Sequence, residues 1–340
     1  MGRRARAVLF WTLGVALSPV GLVGYVAWVA SLVAHRGSGV SATAQGPLSA
    51  RWFAHHLGTR PDEPAHRLLR ALPGVPPWAP GLVAAPILLA SRLTGHVPRV
   101  LRYPFTGEVP PVFEVLARTT FFDSVVERFL PEIDQLVILG AGFDTRAFRL
   151  PVATAVRSFE VDTPSTQQLK RTLADRVGLD TTRVVFVAAD FERESWFDRL
   201  VDAGLDAGRP TLFLCEGVVM YLDPRAAEEL LRTIAGTAPG TVLAFDHLTT
   251  EPLTSAEPYW RYARAGTRLG GEPVKFGVPS TPPARQRLEE LLSACGLTLA
   301  EHQTLGAETS GHRAWGGCAV ATVSPVQPLR PARGPTPLAP

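Results

Sequence analysis

A mainly parallel α/β sheet with helices on both faces is the fold class this sequence predicts. A terminal antiparallel hairpin closes the sheet, and a hydrophobic helix precedes it. Three observations predict this. Short apolar runs alternate with helical periodicity from about residue 112 to residue 323. One run, Val137-Ile-Leu139, ends in Gly140-Ala-Gly142, with Glu160 and Asp162 about twenty residues on, the layout of nucleotide-binding sheets. Finally, Ala7 to Ala34 is 28 residues without a charge.

The elements follow in order. Arg3, Arg4 and Arg6 precede the uncharged run and His35-Arg36 follows it. As one helix it would be roughly 42 Å long at about 1.5 Å per residue, enough to cross a bilayer core of about 30 Å with tilt. A cleaved signal peptide is the rival, with Leu32-Val-Ala34 as its cleavage site, but its apolar core is ordinarily about half as long. Residues 37–60 read as a polar connector hinged at Gly37-Ser-Gly39 and leading into helix. Leu82–Leu93, holding Pro86, is too short to span and reads as a buried helix, with an interfacial or re-entrant segment as the alternative. Val112–Leu130 has Phe113, Leu116, Phe121, Val125 and Phe129 near one helical face.

Five strands are then expected at Leu136–Leu139, Val156–Val161, Val184–Ala188, Thr211–Cys215 and Val242–Phe245. Helices are expected at Thr163–Val177, Pro224–Ile234 and Arg285–Cys295. Leu253–Leu269 is aromatic and arginine-rich and reads as an insertion. Leu297–Thr304 and Ala314–Val323 form the closing hairpin. The tail from Ser324 has six prolines in seventeen residues and is expected to be disordered. The boundaries are therefore 1–36 hydrophobic anchor, 37–110 helical extension, 111–323 sheet domain and 324–340 tail.

Composition excludes several classes. Net charge is +3 with dispersed basic residues, so no nucleic-acid footprint is present. Cys215, Cys295 and Cys318 form no CxxC pair, which argues against a disulfide framework or a zinc site. Neither HExxH nor GxSxG occurs.

In a parallel sheet the ligand lies at the carboxyl ends of the strands. Those ends carry Gly140 and Gly142, Glu160 and Asp162, Asp190 and Phe191, and Glu216. An adenosine ligand needs a carboxylate for its ribose, an acceptor for its amino group and an apolar wall for its ring. S-adenosyl-L-methionine also has an ammonium group that a further carboxylate could meet. A nicotinamide dinucleotide is the competing cofactor, for an oxidoreductase. Thr145 at the third-glycine position and Asp144 beside the phosphates disfavour it.

These residues resemble the leucine carboxyl methyltransferase family, in its bacterial branch of S-adenosylmethionine-dependent O-methyltransferases, which includes polyketide-type enzymes. The matching motifs are Ala117-Arg-Thr119 with Phe121-Phe-Asp123, Leu139-Gly-Ala-Gly-Phe-Asp-Thr-Arg146, Phe159-Glu-Val-Asp162, Ala189-Asp-Phe191 and Cys215-Glu-Gly-Val-Val-Met-Tyr-Leu222. They run in order over about residues 100–323; residues 1–40 have no recognisable counterpart. The resemblance implies a class I methyltransferase-like Rossmann sheet. It implies that Asp162 takes the ribose hydroxyls, and Asp190 with Phe191 the adenine. Gly140 and Gly142 would line the methionine part, Glu216 would hold its ammonium and Arg118 its carboxylate, while Tyr221 borders the acceptor pocket. Glu192 stands where the eukaryotic leucine-directed members place an arginine, so their phosphatase-tail substrate is not carried over.

A small or lipophilic acceptor with a carboxylate or hydroxyl is expected. A carboxylate needs no general base, whereas a hydroxyl would use His247, Asp246 or Tyr221. A non-catalytic membrane protein retaining the fold is the remaining alternative. The N-terminal arginines favour a cytoplasmic N-terminus, which with one span would export the domain away from its cofactor. A cytoplasmic-facing, membrane-associated domain therefore requires inverted insertion or a second membrane contact near Leu82–Leu93.

Overall fold

A computed structural model describes residues 2–34, 43–105, 107–109, 111, 114–309 and 313–324. The Gly37-Ser-Gly39 hinge, Phe113 and the tail beyond Ser324 lie outside the described residues. The chain opens with five helices: α1 (Arg3–Ala16), α2 (Ser18–Ala34), α3 (Gln45–His56), α4 (Glu63–Ala71) and α5 (Ala79–Thr94). Next come α6 (Glu114–Phe129), β1 (Gln135–Leu139), β2 (Arg157–Asp162), α7 (Pro164–Arg176), β3 (Val184–Ala188), α8 (Trp196–Asp202) and β4 (Thr211–Cys215). The chain continues with α9 (Pro224–Ala235), β5 (Val242–Leu248), α10 (Thr250–Thr254), α11 (Pro258–Leu269), α12 (Ala284–Ala294), β6 (Thr298–Leu305) and β7 (Gly316–Thr322).

The seven strands lie in the order β3-β2-β1-β4-β5-β7-β6. β1 to β5 are mutually parallel, and β7 runs antiparallel to both β5 and β6. This is the expected Rossmann sheet with its closing hairpin. Strand alternation splits the core in two. Val137, Leu139, Phe213 and Cys215 face one side with residues of α8, α9 and α12. Leu136, Ile138, Leu212 and Leu214 face the other, with α6. The chain leaves β1 towards β2 on one side, whereas β4 flanks it on the other, so the switch point lies between β1 and β4.

The N-terminal region departs from expectation. The single 28-residue helix is two helices bent by 51°. Pro19 has no N–H for the Val15 carbonyl and its ring crowds the preceding turn. The Ser18 hydroxyl donates to that carbonyl instead, at 2.8 Å. Among the described residues no single helix is long and apolar enough to cross a membrane; the bent pair meets the requirement by length and composition only.

α1 and α2 run back along α5. Phe10 packs with Ala90 and Leu101, and its ring lies edge-on to His96. Gly24 lets α5 approach closely: a Cβ there would sit 2.7 Å from Leu82 Cβ. α5 itself is buried on one side only, since Leu89 and Leu93 are exposed. α3 and α4 share a small core with α7 and the glycine turn, through Leu48, Trp52, Leu68, Leu173 and Phe143. Leu253–Leu269, read as an insertion, forms the last two residues of α10 and all of α11.

Candidate active site

The turn after β1 is shaped by its glycines. Gly140 has φ +60° and Gly142 φ +44°, a region that side-chain-bearing residues rarely enter. A Cβ at Gly142 would lie 2.9 Å from Ala44 Cβ, so the segment before α3 sits on the turn. Asp162, the last residue of β2, ties the two strand ends together. Its carboxylate accepts from the Gly142 N–H at 2.6 Å and the Thr163 N–H at 2.7 Å. Burial raises its pKa, and the two N–H bonds oppose the rise.

A cavity of about 200 Å³ opens here. Seven of the eight site residues read from the sequence line it: Arg118, Gly140, Gly142, Asp162, Phe191, Glu216 and Tyr221. Asp190 is not among the lining residues. Its carboxylate accepts from the Glu192 N–H at 3.0 Å and pairs with Arg193 at 3.4 Å. Glu160, the other acid of the pair, does not line the cavity either; it is buried one turn of the pleat back along β2 and pairs with Lys170 at 2.6 Å. Burial pushes its pKa up to about 7, against the pull of that ammonium.

Glu216, following β4, is held by three guanidiniums. Arg146 lies at 2.5 Å, Arg51 at 2.9 Å and Arg118 at 3.2 Å. Burial would raise its pKa, but Arg146, Arg51 and Arg118 outweigh burial and hold it below the ordinary range. Arg118 also pairs with Glu114 at 2.9 Å and Asp246 at 3.0 Å. Arg146 reaches Asp144 at 2.5 Å and Asp123 at 2.7 Å, and Asp123 meets Arg60 at 2.7 Å. Asp144 and Asp123 are held well below the usual carboxylate range because these guanidiniums overcome burial. The network therefore joins α3, α6, the β1 turn and the ends of β4 and β5.

A second cavity of about 240 Å³ adjoins the first and shares Thr43, Pro47, Arg118 and Tyr221 with it. Met220, Leu248, Trp260 and Val274 supply apolar wall, and Glu114 and Arg264 polar edges. Burial raises the pKa of Glu114, against the Arg118 charge, and raises that of the Tyr221 phenol as well.

His247 does not fit the general-base expectation. β5 continues past Phe245 to Leu248, so His247 is a ladder residue opposite Gly317. Its ring is buried and stacked on His302, with the Nε2 atoms 3.3 Å apart, and burial lowers its pKa to about 3. Asp246 is buried too; it accepts from the Gly217 N–H at 2.6 Å and orients Arg118 rather than facing a cavity.

Sequence reasoning missed Arg51, Glu114 and the linking role of Arg146. Arg146 stood inside a quoted motif and could have been flagged. Arg51 is 93 residues from Asp144 and 165 from Glu216, with nothing local to mark it.

A dinucleotide site is poorly served by this geometry. The glycine turn leads only into a three-residue helical turn, Ala147–Arg149. Thr145 is fully buried, with its hydroxyl donating to Asp62 at 2.8 Å. No helix N-terminus is presented to a pyrophosphate at this turn. The carboxylates suit a cationic ligand better. Around Arg51, Arg60, Arg118 and Arg146 stand Asp62, Glu114, Asp123, Asp144, Glu216 and Asp246, an acidic excess in formal charge.

Residues 109–235 match the family described as leucine carboxyl methyltransferase. A protein of Mycolicibacterium vanbaalenii named "Putative S-adenosyl-L-methionine-dependent methyltransferase" is 34% identical over 68% of this chain and 73% of its own length. A protein of the same name from Mycolicibacterium gilvum is 32% identical over 64% of this chain and 70% of its own. Among solved structures, a duf574 family protein from Streptomyces avermitilis has a TM-score of 0.45 and 18% identity, over 82% of this chain and 97% of its own. The chain belongs to the leucine carboxyl methyltransferase family and is an S-adenosyl-L-methionine-dependent methyltransferase.

Proposed function

We propose that this enzyme methylates an oxygen, of a carboxylate or a hydroxyl, on a small lipophilic acceptor such as a polyketide-like natural product. The second cavity carries this reading: it is walled by apolar and aromatic side chains and shares Arg118, Tyr221, Thr43 and Pro47 with the cavity at the glycine turn. In this reading the first cavity takes the cofactor. Asp162 has acceptor capacity beyond its two N–H bonds for ribose hydroxyls, and Phe191, which lines the cavity, offers a face for adenine next to Asp190 in the chain. Gly140 and Gly142 admit the methionine part, Arg118 its carboxylate and Glu216 its ammonium. Arg51 and Arg146 occupy Oε2 of Glu216 and Arg118 one position on Oε1, so the acceptor position left for an ammonium is on Oε1, beside Arg118.

When bound, the cofactor supplies an already activated methyl group, so the protein's part is positioning and electrostatics. Tyr221, kept neutral by its surroundings, can donate to an acceptor oxygen. For a hydroxyl acceptor, Glu114 is the better-placed base, because it lines the second cavity and burial raises its pKa. Glu192, the departure from the eukaryotic pattern, is occupied elsewhere: it pairs with Lys275 at 2.9 Å and does not line the second cavity.

The test is transfer of a labelled methyl group into an organic-solvent extract of the source cells, with Asp162→Ala as control. Label in the lipophilic fraction is expected; label confined to protein or water-soluble products overturns the acceptor class. Glu114→Gln then separates the two chemistries. It should lower kcat and flatten its pH profile for a hydroxyl and leave both unchanged for a carboxylate. We further propose a membrane-associated enzyme with this domain facing the cytoplasm, where its cofactor is made. Digestion of the domain in inverted vesicles is expected, and digestion only from the outer face would reverse the assignment.

A further inference from the structure

The outer faces of α1 and α2 and the free side of α5 form one apolar surface. Val8, Trp11, Val15, Leu22, Val26 and Leu93 all point outwards, Val15 with 70% of its surface exposed. Monomers rarely leave a continuous apolar face of this kind uncovered. The charge around it is one-sided. Residues 1–107 contain eleven arginines and only two acids, Asp62 and Glu63, and of those arginines Arg51 and Arg60 are buried in the carboxylate network of the site. The packing of Phe10 on Ala90 and His96 brings the start of α1 beside the end of α5, so exposed Arg3, Arg4, Arg6 and Arg92 gather at one end of the surface.

We propose that this surface seats the enzyme on an anionic bilayer, with α1, α2 and α5 lying in the interface and none of them crossing it. Three features favour the interface over a span. The helix is broken at Pro19. Its inner side, Phe10, Gly14 and Gly24, is committed to α5 and the body of the protein. The exposed residues form a face, not a full circumference, the pattern of a helix that lies in the membrane plane. The arginine cluster supplies attraction to anionic headgroups. The same surface borders the proposed acceptor pocket, because the Tyr25 hydroxyl of α2 meets the Tyr262 hydroxyl of α11, and α11 contributes Tyr259, Trp260, Ala263 and Arg264 to that pocket. An acceptor dissolved in the bilayer would thus meet the enzyme beside its pocket.

This inference rests on the membrane association proposed above, and the experiment keeps the two apart. The full chain is floated with phosphatidylcholine vesicles, with and without phosphatidylglycerol. The thiol introduced by Arg3→Cys is then probed with an impermeant maleimide added on the side of the enzyme domain. The three native cysteines are buried, so the new thiol is the reactive one. Flotation favoured by phosphatidylglycerol by about tenfold or more, with the thiol labelled, is expected. The double variant Val8→Glu, Leu22→Glu should lose most of this binding while still binding S-adenosylmethionine. Val152→Glu, on an exposed loop elsewhere, should float like the parent. Flotation with the thiol protected would mean a span and overturn the interfacial seat alone. Binding indifferent to lipid charge would overturn the arginine attraction. No flotation, with a concentration-dependent dimer, would show a second copy on the face and overturn the membrane reading too.

Discussion

Arg146 meets three carboxylates from one guanidinium: Asp123, Asp144 and Glu216. Removing it leaves three buried charges short of a partner, and breaking a buried ion pair of this sort costs roughly 3–5 kcal/mol. Arg146→Met should lower the free energy of urea unfolding by about that amount. The same carboxylates set an acid limit. Their folded pKa values are depressed, so the unfolded chain binds more protons as pH falls below the usual carboxylate range of about 4. Their stabilisation is complete above that value and is lost below it. Urea titrations from neutral to acid pH should therefore show a steep fall in stability below about pH 4, and a shallower one in Asp123→Asn. Asp162→Asn removes charge while keeping the side chain's shape. Isothermal titration should show cofactor affinity down by about tenfold or more, worth about 1.4 kcal/mol; unchanged affinity would remove Asp162 from the site. Asp162 and Glu216 were legible because a strand end declares where its residues point. Arg51 was not, because a helical arginine in another part of the chain carries no mark of the carboxylates it will meet.

At the scale of elements, the crossing of α2 with α5 depends on the absence of a side chain at Gly24, whereas the contact of α1 with α5 at Gly14 does not. Gly14 faces Ile87 Cδ1 at an ordinary 3.8 Å from an added Cβ, whereas at Gly24 the same Cβ would lie 2.7 Å from the Val83 amide nitrogen and 2.8 Å from the Ala79 carbonyl. Alanine in a helix gains up to about 1 kcal/mol over glycine. Overpacking against backbone, which cannot move aside, costs about 1–3 kcal/mol. Gly14→Ala should hold or raise the melting temperature and Gly24→Ala lower it, as thermal unfolding would show. The strand and helix order was legible from periodicity, since each strand is apolar and bounded by turn residues. Two boundaries misled. Hydropathy summed over the uncharged run outweighed Pro19, although a single missing N–H decides whether a helix continues. The strand expected to end at Phe245 runs on to Leu248, because pairing with β7 carries the ladder through the polar Asp246 and His247.

For the whole molecule, the sheet supplies the floor of the site and the N-terminal extension supplies its cover. Thr43 and Ala44 lie over the glycine turn, the Thr43 hydroxyl donates to Glu272 at 2.7 Å, and Arg51 anchors α3 to Glu216. This arrangement was illegible beforehand, because the family motifs lie in the sheet domain and the extension has none. It also has a kinetic consequence. Thr43, Pro47, Arg118 and Tyr221 are wall to both cavities, so whatever fills the first settles the shape of the second. Turnover should then be sequential and ordered, with cofactor arriving before acceptor and its demethylated form leaving last. In initial-rate measurements S-adenosylhomocysteine should compete with S-adenosylmethionine but not with the acceptor. A random order would mean that the shared wall moves freely. An ordered one would make the two cavities a queue, in which the acceptor's turn comes only after its neighbour is seated.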